Sequence, residues 1–423
     1  MKNLLFITYH FPPTGGSGVQ RGLKFAKYLP QFGFRPIVLC ADYRCLKQPK
    51  DYTLLKELPP SVKIYRTFTL DANWFFKLLW GLKLNKVVTF LQRCILIPDI
   101  EVLWLPFAFL KLKKILDANH IDLVLISAPP YSSLFLAKYC KHRYQLKVCV
   151  DFRDPWSFGI GRKYLKPPSW IANKENNWEK EIVTLADKII CVNDKMVDEF
   201  RQLYTKIPAV KFCSITNGYD EEDFSISTPL KKSDKFKIVY TGSFYDARRP
   251  LILWQALWEL IEEGKINPQK ITVNIYGRNT KNFVLGEYQD NLLIQKIVHF
   301  YGYTPHTQII KILLSADVLL LYSGFGNTEQ LNSPAKLFEY LRSGKPVFAI
   351  IDPESSAAEI LLPANTIFLA NSASLSSIKN TLSELYTQWE EGKLKVSPDW
   401  EYIKNFERKA LTARLAEVLS SIT

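Results

Sequence analysis

The sequence predicts two α/β domains, each built on a doubly wound parallel sheet. The chain has 423 residues, which is more than the roughly 250–300 that one hydrophobic core usually serves. Hydrophobic residues make up 47% of it and aromatic residues 13%, which is enough to fill two cores. Short apolar runs also alternate with helical patterns along the whole chain, as is typical of parallel sheets.

The predicted strands fall into two groups. Within each group, amphipathic stretches such as VQRGLKFAKYLPQFG and AKLFEYLRSG lie between the strands and predict helices. The runs are residues 4–9, 35–40, 62–66, 121–127, 147–152, 188–192 and 212–218, and then 237–242, 271–277, 297–303, 317–323 and 346–351.

A polar segment separates the two groups of strands. Residues 221–237 are rich in charged residues, serine and proline, and a fresh strand begins at Lys237. We therefore expect an N-terminal Rossmann-like domain over 1–222 and a second one over 237–400. Ligands of open α/β sheets bind outside the carboxyl ends of the strands, so a cleft between the domains is the expected active site.

The net charge of +14 is concentrated near the N-terminus. Residues 1–120 carry 18 lysines and arginines against 7 aspartates and glutamates. Such a balance suits a phosphate-bearing substrate, an acidic membrane face or nucleic acid, although a merely solvated basic surface would look the same. No recognised nucleic-acid motif accompanies the charge, so we expect no nucleic-acid partner.

Cysteine usage and the N-terminus indicate the compartment. The seven cysteines are scattered and show no CxxC spacing, which predicts reduced thiols. The apolar start MKNLLFITYHFPPTGG is too short for a signal peptide and is interpreted as a buried strand. The sequence therefore predicts a cytosolic protein.

Residues 72–100 form an aromatic and aliphatic segment with interspersed cations. Lys77, Lys83, Lys86 and Arg93 interrupt it too often for a membrane-spanning helix. Amphipathic helices on an anionic bilayer surface would have this composition, and so would a helical pair packed on the domain core. Both interpretations stay open at this point.

A glycine-rich loop follows the first predicted strand. Gly15, Gly16 and Gly18 lie between that strand and a helix, where backbone N–H groups can approach a phosphate. The loop matches neither the dinucleotide nor the Walker pattern, so a tight structural turn is the alternative. His10 in the same loop is expected to pack or hydrogen-bond, and it is not placed among the catalytic residues.

A second group of polar residues follows the strand DVLLLY. Ser333 and Pro334 predict the N-cap and first residue of a helix. Lys336 then adds a cation to free backbone N–H groups that could hold a diphosphate. Glu339 could accept hydrogen bonds from two ribose hydroxyls. The alternative is a capped surface helix with an ordinary Lys/Glu pair.

A third group follows the strand at 237–242. Gly242 frees the backbone, and Arg248 and Arg249 could neutralise a leaving pyrophosphate. A solvated basic turn is the alternative.

A fourth group, VCVDFRDPWSFG, follows the strand at 147–152. Asp151 and Asp154 could orient a sugar hydroxyl or an acceptor. Either of them could instead pair with Arg153.

The order of these motifs resembles that of the retaining glycosyltransferases of family four. That family has the GT-B fold, in which two Rossmann-like doubly wound domains face each other across a cleft. The resemblance spans nearly the whole chain. The matching segments are YHFPPTGGSGVQR, SAPPYSS, VDFRDPW, ITNGYD, YTGSF and SPAKLFEYLRSGKPV.

The resemblance implies roles for residues of the second domain. Glu339 would bind the donor ribose, and Ser333, Lys336 and Leu337 would line the nucleotide-phosphate pocket. Arg249, or else Arg248, would steady the pyrophosphate.

The resemblance also extends to the first domain and to the C-terminus. Gly16 and its neighbours would close on the phosphates. The C-terminal segment 401–423 would cross back onto the first domain.

Two departures from the family pattern stand out. The family often has a second glutamate eight positions before Glu339, where this chain has Leu331, and Glu329 is out of register. The family's frequent histidine after a strand is also missing, and Asp151 or Asp154 would serve in its region.

The activity that the resemblance implies is retaining transfer of a sugar from a nucleotide diphosphate to a lipid-linked or polysaccharide acceptor, with cell-envelope or exopolysaccharide assembly as the commonest use. We expect neither a metal ion nor a cofactor. A GT-B nucleotide-sugar epimerase and a non-catalytic nucleotide-sugar binding protein remain alternatives.

Overall fold

A computed structural model describes residues 1–159, 166–225, 234–244, 248–324 and 326–423. The chain divides into two compact units, one made of Met1–Thr216 with Arg408–Thr423 and the other of Asn217–Glu407. Residues 226–233 of the expected boundary segment and 245–247 of the third polar group lie outside the described residues.

The first unit is built on a seven-stranded parallel sheet with the order β3-β2-β1-β4-β5-β6-β7. The central strand β1 pairs with β2 on one side and with β4 on the other, so the strand order reverses beside β1. The strands are β1 Lys2–Thr8, β2 Phe34–Ala41, β3 Lys63–Thr67, β4 Leu123–Ala128, β5 Lys147–Phe152, β6 Lys188–Cys191 and β7 Phe212–Ser214.

Helices cover both faces of this sheet. Leu5 and Ile7 of β1 belong to one buried cluster, and Leu4 and Phe6 to another, because successive side chains of a strand point to opposite faces. The C-terminal helix packs in the second of these clusters. The helices are Ser17–Tyr28, Asn73–Gly81, Asn85–Phe90, Leu105–Ala118, Phe135–Tyr144, Ser169–Leu185, Asp194–Leu203 and Arg408–Ser420.

The second unit has a six-stranded parallel sheet with the order β10-β9-β8-β11-β12-β13. This is the strand order of a doubly wound nucleotide-binding sheet, and its switch point lies between β8 and β11. The strands are β8 Phe236–Thr241, β9 Ile271–Tyr276, β10 Val298–Phe300, β11 Val318–Tyr322, β12 Val347–Ile351 and β13 Ile367–Asn371.

Helices again cover the sheet of the second unit. Its core divides into two clusters, with Ile238 of β8 in one and Val239 in the other. The helices are Glu221–Ser225, Leu251–Glu262, Lys281–Leu285, Leu292–Ile297, His306–Leu314, Asn327–Gln330, Lys336–Ser343, Ser356–Leu361, Leu375–Glu390 and Trp400–Lys404.

The predicted first residue of the helix after β11 was wrong. The helix begins at Lys336, with Ala335 in the capping position and in helical backbone torsions. Ser333 and Pro334 therefore belong to the connection before the helix. The N–H of Leu337 reaches back to the carbonyl of Pro334 at 3.0 Å, so a tight turn leads into the helix.

The segment 72–100 forms two helices, Asn73–Gly81 and Asn85–Phe90, followed by a π-helical turn at Leu91–Ile95. Phe76, Leu79 and Val88 are buried together. The outward side chains form what we call the apolar surface: Trp74, Phe75, Leu78, Trp80, Leu82, Leu84, Val87, Phe90 and Ile95, which are all exposed. In the described part of the chain, no helix combines the length and apolarity needed to cross a bilayer.

Candidate active site

The polar residues of the second unit converge at the carboxyl ends of β8 and β11. Gly242 follows β8 with a φ of 119°, and its N–H donates to the carbonyl of Tyr276 at 2.8 Å. A side chain at this position would place its Cβ 3.4 Å from Nζ of Lys336. Glycine therefore supplies both the left-handed backbone and the space that the lysine occupies.

Lys336 is a partly buried cation at the start of its helix. Its Nζ lies 3.5 Å from the ring centroid of Tyr240, at the end of β8. Burial, with a further contribution from Arg248, holds the pKa of Lys336 well below the usual 10.5. An ammonium in this position would be stabilised by an arriving anion, because the anion replaces the solvation that burial removes.

Arg248 is held by a buried carboxylate. Its Nε donates to both carboxylate oxygens of Glu329, at 3.1 and 2.9 Å. Ser323, just after β11, donates its hydroxyl to the same carboxylate at 2.7 Å. The glutamate that is out of register in the sequence thus fixes an arginine at the switch point of the sheet.

The neighbouring Arg249 is directed elsewhere. Its Nε donates to the carbonyl of Phe283 at 2.9 Å, and its guanidinium lies 5.0 Å from the Phe283 ring centroid. Of the two arginines, Arg248 is the one whose charge acts on Lys336.

Glu339 contacts a histidine that the sequence interpretation did not include. Nε2 of His306 lies 2.8 Å from Oε1 of Glu339, and Nδ1 lies 3.8 Å from Oδ2 of Asp223. The next residue, Tyr340, is bound to the end of β8, since its hydroxyl accepts the N–H of Thr241 at 3.0 Å. This contact holds the helix that carries Lys336 and Glu339 against the strand that carries Tyr240.

The other predicted residues of this helix differ in accessibility. Leu337 has no exposed surface and packs in the core, so its side chain does not line an accessible site. Ser333 is also buried, whereas Pro334 is partly exposed. Glu339 retains partial exposure, with 17% of its side chain accessible.

The glycine loop of the first unit is closely tied to its surroundings. The N–H of Gly15 donates to the carbonyl of Pro49 at 2.7 Å. Gly16 has a φ of 113° and precedes the helix Ser17–Tyr28. The carbonyl of Gly18 accepts from Nη1 of Arg153 at 2.6 Å, and an added Cβ there would lie 3.1 Å from the same nitrogen. Phosphate contact by this loop stays a prediction.

His10 in this loop is partly buried and lies near two cations. Burial, followed by the charges of Arg153 and Lys50, lowers its pKa from 6.5 to about 4. A neutral imidazole at physiological pH follows from these neighbours.

Asp151 has a different partner from the one that its sequence neighbours suggested. Its carboxylate accepts from Nε and Nη2 of Arg21, the closest contact being 2.7 Å, and from the hydroxyl of Ser127 at 2.8 Å. Both charged side chains are almost fully buried. Of the two aspartates that could have paired with Arg153, Asp151 pairs with Arg21 instead, because the helix Ser17–Tyr28 brings Arg21 to it.

Asp154, by contrast, is exposed. Burial of Arg153 lowers the pKa of its guanidinium, and the negative charge of Asp154 acts in the opposite direction. Asp154 is thus the more accessible of the two predicted aspartates.

Several of these residues had weak sequence signals. His306 follows a strand and a proline, as a site residue can, but only the packing of two helices brings it to Glu339. Asn279 was also missed. Its amide donates to the carbonyl of Gly242 and accepts the N–H of Phe244, both at 2.9 Å, and so holds residues 242–244 after β8.

Two Rossmann-like units, one with cations and a partly exposed carboxylate at its switch point, define the chain as a GT-B protein. A model of Glycosyltransferase Family 4 matches residues 17–223, and a model of glycosyl transferases group 1 matches residues 221–395. The chain belongs to the family 4 glycosyltransferases. A search of curated proteins finds no match.

Solved structures share the fold over the whole chain. Sucrose-phosphate synthase from Thermosynechococcus elongatus has a TM-score of 0.64 at 13% identity, with 100% of this chain and 99% of that chain covered. WaaG, a glycosyltransferase involved in lipopolysaccharide biosynthesis, has a TM-score of 0.62 at 13% identity, with 99% of each chain covered. A glycosyltransferase from Rickettsia africae has a TM-score of 0.59 at 16% identity, with 100% and 98% covered.

Proposed function

We propose that the protein transfers a sugar from a nucleotide-diphosphate donor to a lipid-linked or polysaccharide acceptor, with retention of anomeric configuration. The observation that carries this proposal is the placement of Lys336, Arg248 and Glu339 around the switch point of the second sheet. Cations suited to a diphosphate stand there beside a carboxylate suited to a ribose.

The donor is held by the residues after β8 and β11. Lys336 and the N–H groups at the start of its helix bind the diphosphate, and Gly242, Ser333 and Pro334 let the backbone approach it. Glu339 accepts hydrogen bonds from the ribose hydroxyls. Arg248 takes the role that the family resemblance gave first to Arg249, since the latter guanidinium is anchored on Phe283.

The reaction proceeds by stabilising the leaving group. As the bond between sugar and phosphate breaks, charge develops on the diphosphate, and Lys336 and Arg248 offset it. The acceptor hydroxyl attacks from the same face and passes its proton to the departing phosphate. In this proposal the positive charge comes from side chains, and neither a metal ion nor a cofactor takes part.

The acceptor is proposed to lie at the cytosolic face of an anionic membrane. Residues 72–98 contain four cations and no acidic residue, and they carry the apolar surface. Apolar side chains set among cations fit the boundary of an anionic bilayer. The seven free cysteines support a reducing compartment, and the lipopolysaccharide role of WaaG supports cell-envelope assembly.

Calorimetric titration with a panel of nucleotide diphosphates and their sugar conjugates tests the donor site. We expect one nucleotide to bind, and Glu339→Ala to weaken that binding by about 1–3 kcal/mol, because a charge-assisted hydrogen bond is lost. Glu262→Ala removes an exposed carboxylate elsewhere in the same unit and is the matched control. If no member of the panel binds, the donor proposal fails.

Product analysis separates transfer from epimerisation. A transferase leaves the donor sugar intact without an acceptor, apart from slow hydrolysis, whereas an epimerase isomerises or releases it. Nuclear magnetic resonance of the glycosylated product then gives the anomeric configuration, and inversion would contradict the retaining mechanism.

Co-sedimentation with liposomes tests the membrane proposal. We expect binding to vesicles that contain anionic lipid and weaker binding to purely zwitterionic vesicles. Trp74→Ser, in the apolar surface, is expected to reduce binding, and Trp258→Ser, which alters an exposed tryptophan of the second unit, is the control. Equal binding by the two variants would contradict this role of the apolar surface.

A further inference from the structure

A pocket opens at the carboxyl ends of three neighbouring strands of the first sheet. Tyr9 follows β1, residues 46–48 follow β2 and residues 70–72 follow β3. The short helix Ile100–Trp104 completes the wall with Ile100 and Glu101. The cavity has a volume of about 60 Å³ and is partly open to solvent. Carboxyl ends of parallel strands are where open α/β sheets bind ligands.

The polar lining of the pocket includes the acceptor oxygens of Gln48, Asp71 and Glu101. Gln48 has a buried Oε1 with no hydrogen-bond partner among the described residues. No ion pair of Glu101 is found within the described ranges. The one cation of the lining, Lys47, is paired with Asp71 at 3.0 Å. The buried, unpartnered oxygen of Gln48 calls for a ligand group that donates a hydrogen bond.

The ionisation of Glu101 is consistent with this environment. Burial, followed by the charge of Asp99, raises its pKa from 4.5 to about 7. A carboxyl with a raised pKa in a pocket is a candidate functional group.

The pocket adjoins the segment that carries the apolar surface. Ala72 and Ile100 line the pocket and also pack against the buried cluster of Phe76, Leu79 and Val88 beneath that surface. The helix Asn73–Gly81 begins directly after Ala72. A molecule with a polar head in the pocket could therefore extend an alkyl chain along the apolar surface.

We propose that this pocket binds the hydroxyl-rich head group of a lipid-linked acceptor, a sugar or polyol whose alkyl chain lies on the apolar surface. Hydroxyls donate to the oxygens of Gln48 and Glu101. A phosphate is disfavoured because it brings negative charge against Asp71 and Glu101. This inference rests on the proposed function and names the class of its acceptor.

Short alkyl glycosides are the probes. Hexyl glycosides of glucose, galactose, mannose and N-acetylglucosamine share one chain length, and hexyl phosphate supplies the matched anionic head. Binding to the full-length protein is measured by saturation-transfer nuclear magnetic resonance below micellar concentrations. We expect at least one glycoside to bind more tightly than hexyl phosphate.

Variants assign the binding to its parts. Gln48→Leu combined with Glu101→Gln is expected to weaken glycoside binding about tenfold, because head-group hydrogen bonds are lost. The same double variant should bind hexyl phosphate at least as tightly as the wild type, because the negative charge of Glu101 is removed. Trp74→Ser is expected to weaken the binding of both kinds of probe, because both carry the same alkyl chain. Gln31→Leu, at an exposed glutamine, is the control. Circular dichroism and thermal unfolding confirm that each variant is folded.

The outcomes distinguish this inference from the proposed function. The acceptor inference is overturned if glycosides and hexyl phosphate bind with equal affinity. It is also overturned if the pocket variants leave the ratio of these two affinities unchanged. Nucleotide diphosphate binding, measured on the same samples, tests the donor site independently. If the wild type binds no nucleotide diphosphate, the proposed function itself fails.

Discussion

His306 and Glu339 form a direct side-chain contact, with Nε2 of the imidazole 2.8 Å from Oε1 of the carboxylate. An ionised carboxylate only accepts hydrogen bonds, so Nε2 is the donor in this pair. The contact fixes one oxygen of Glu339 and leaves Oε2 for a ribose hydroxyl. His306 is therefore a positioning residue for the proposed donor site.

His306→Ala is expected to reduce discrimination between a ribonucleoside diphosphate and its 2′-deoxy analogue. Without the imidazole, Glu339 is free to rotate, so the affinity gained from the ribose hydroxyl falls by about 0.5–1.5 kcal/mol. Calorimetry with both nucleotides gives this difference.

His306→Gln is the informative companion of that variant. Its amide can still donate to Glu339, so discrimination should be largely restored. A purely structural histidine would lower the affinity for both nucleotides alike and leave their ratio unchanged.

Lys336 is expected to take up a proton when a nucleotide diphosphate binds. Its pKa lies well below 10.5 in the free protein because of burial and Arg248. An anionic ligand raises the pKa again, so binding draws in a proton at pH values between the pKa of the free protein and that of the complex. Titrations in buffers of different ionisation enthalpy measure this uptake.

Lys336→Met should abolish the proton uptake and weaken diphosphate binding. The same substitution should leave the protein at least as stable as the wild type, because a desolvated cation is replaced by an apolar side chain. Proton uptake that survives in the variant would assign it to another group.

Much of the fold could be predicted from the sequence because parallel strands are apolar and short. Twelve runs predicted as strands correspond to β1–β12. The exception is β13, an edge strand in which only Ala370 is buried, so its residues lack a strong apolar signal. An edge strand is covered on fewer sides and needs fewer hydrophobic residues.

The side-chain partners were harder to predict. Asp151 has an arginine two residues away in sequence, yet it pairs with Arg21, which reaches it from a helix packed on the sheet. Likewise, the pocket near Glu101 is lined by residues that follow three different strands. No single segment of the sequence therefore contains a motif that would predict it. Contacts made by tertiary packing leave no local spacing in the sequence.

Asp151→Asn is expected to affect stability far more than catalysis. The substitution leaves Arg21 buried without its counter-charge, which typically costs about 3–5 kcal/mol. Turnover per folded molecule should stay close to that of the wild type, since both carboxylate oxygens are already occupied. Urea denaturation and steady-state kinetics on the same preparation separate the two effects.

Asp154→Asn provides the contrast, because Asp154 is exposed and keeps the role in orienting a sugar hydroxyl or an acceptor that the sequence suggested for it. It should lower turnover and leave the free energy of unfolding nearly unchanged. A large loss of turnover in folded Asp151→Asn would return that residue to the catalytic set.

Glu101 should make the protein less stable as pH rises. Its pKa is raised from 4.5 to about 7, so between these values the folded state binds more protons than the unfolded state. The free energy of unfolding therefore falls as pH increases through this window, and the whole cost is present above pH 7. Asp99 and Asp71 contribute to the shift, and both stay in place in a Glu101 variant.

Glu101→Gln keeps the shape of the side chain and removes the charge. At pH 8 the variant should exceed the wild type in free energy of unfolding by about 1–3 kcal/mol, since each unit of pKa shift corresponds to about 1.4 kcal/mol. At pH 4.5 the two proteins should be equally stable. Urea denaturation at several pH values measures the difference, with Glu417→Gln on an exposed helix face as the control. A stability gain that does not change with pH would show that packing, and not ionisation, is the cause. A gain confined to high pH would mean that the chain tolerates a costly carboxylate in this pocket, as expected of a residue retained for binding and not for folding.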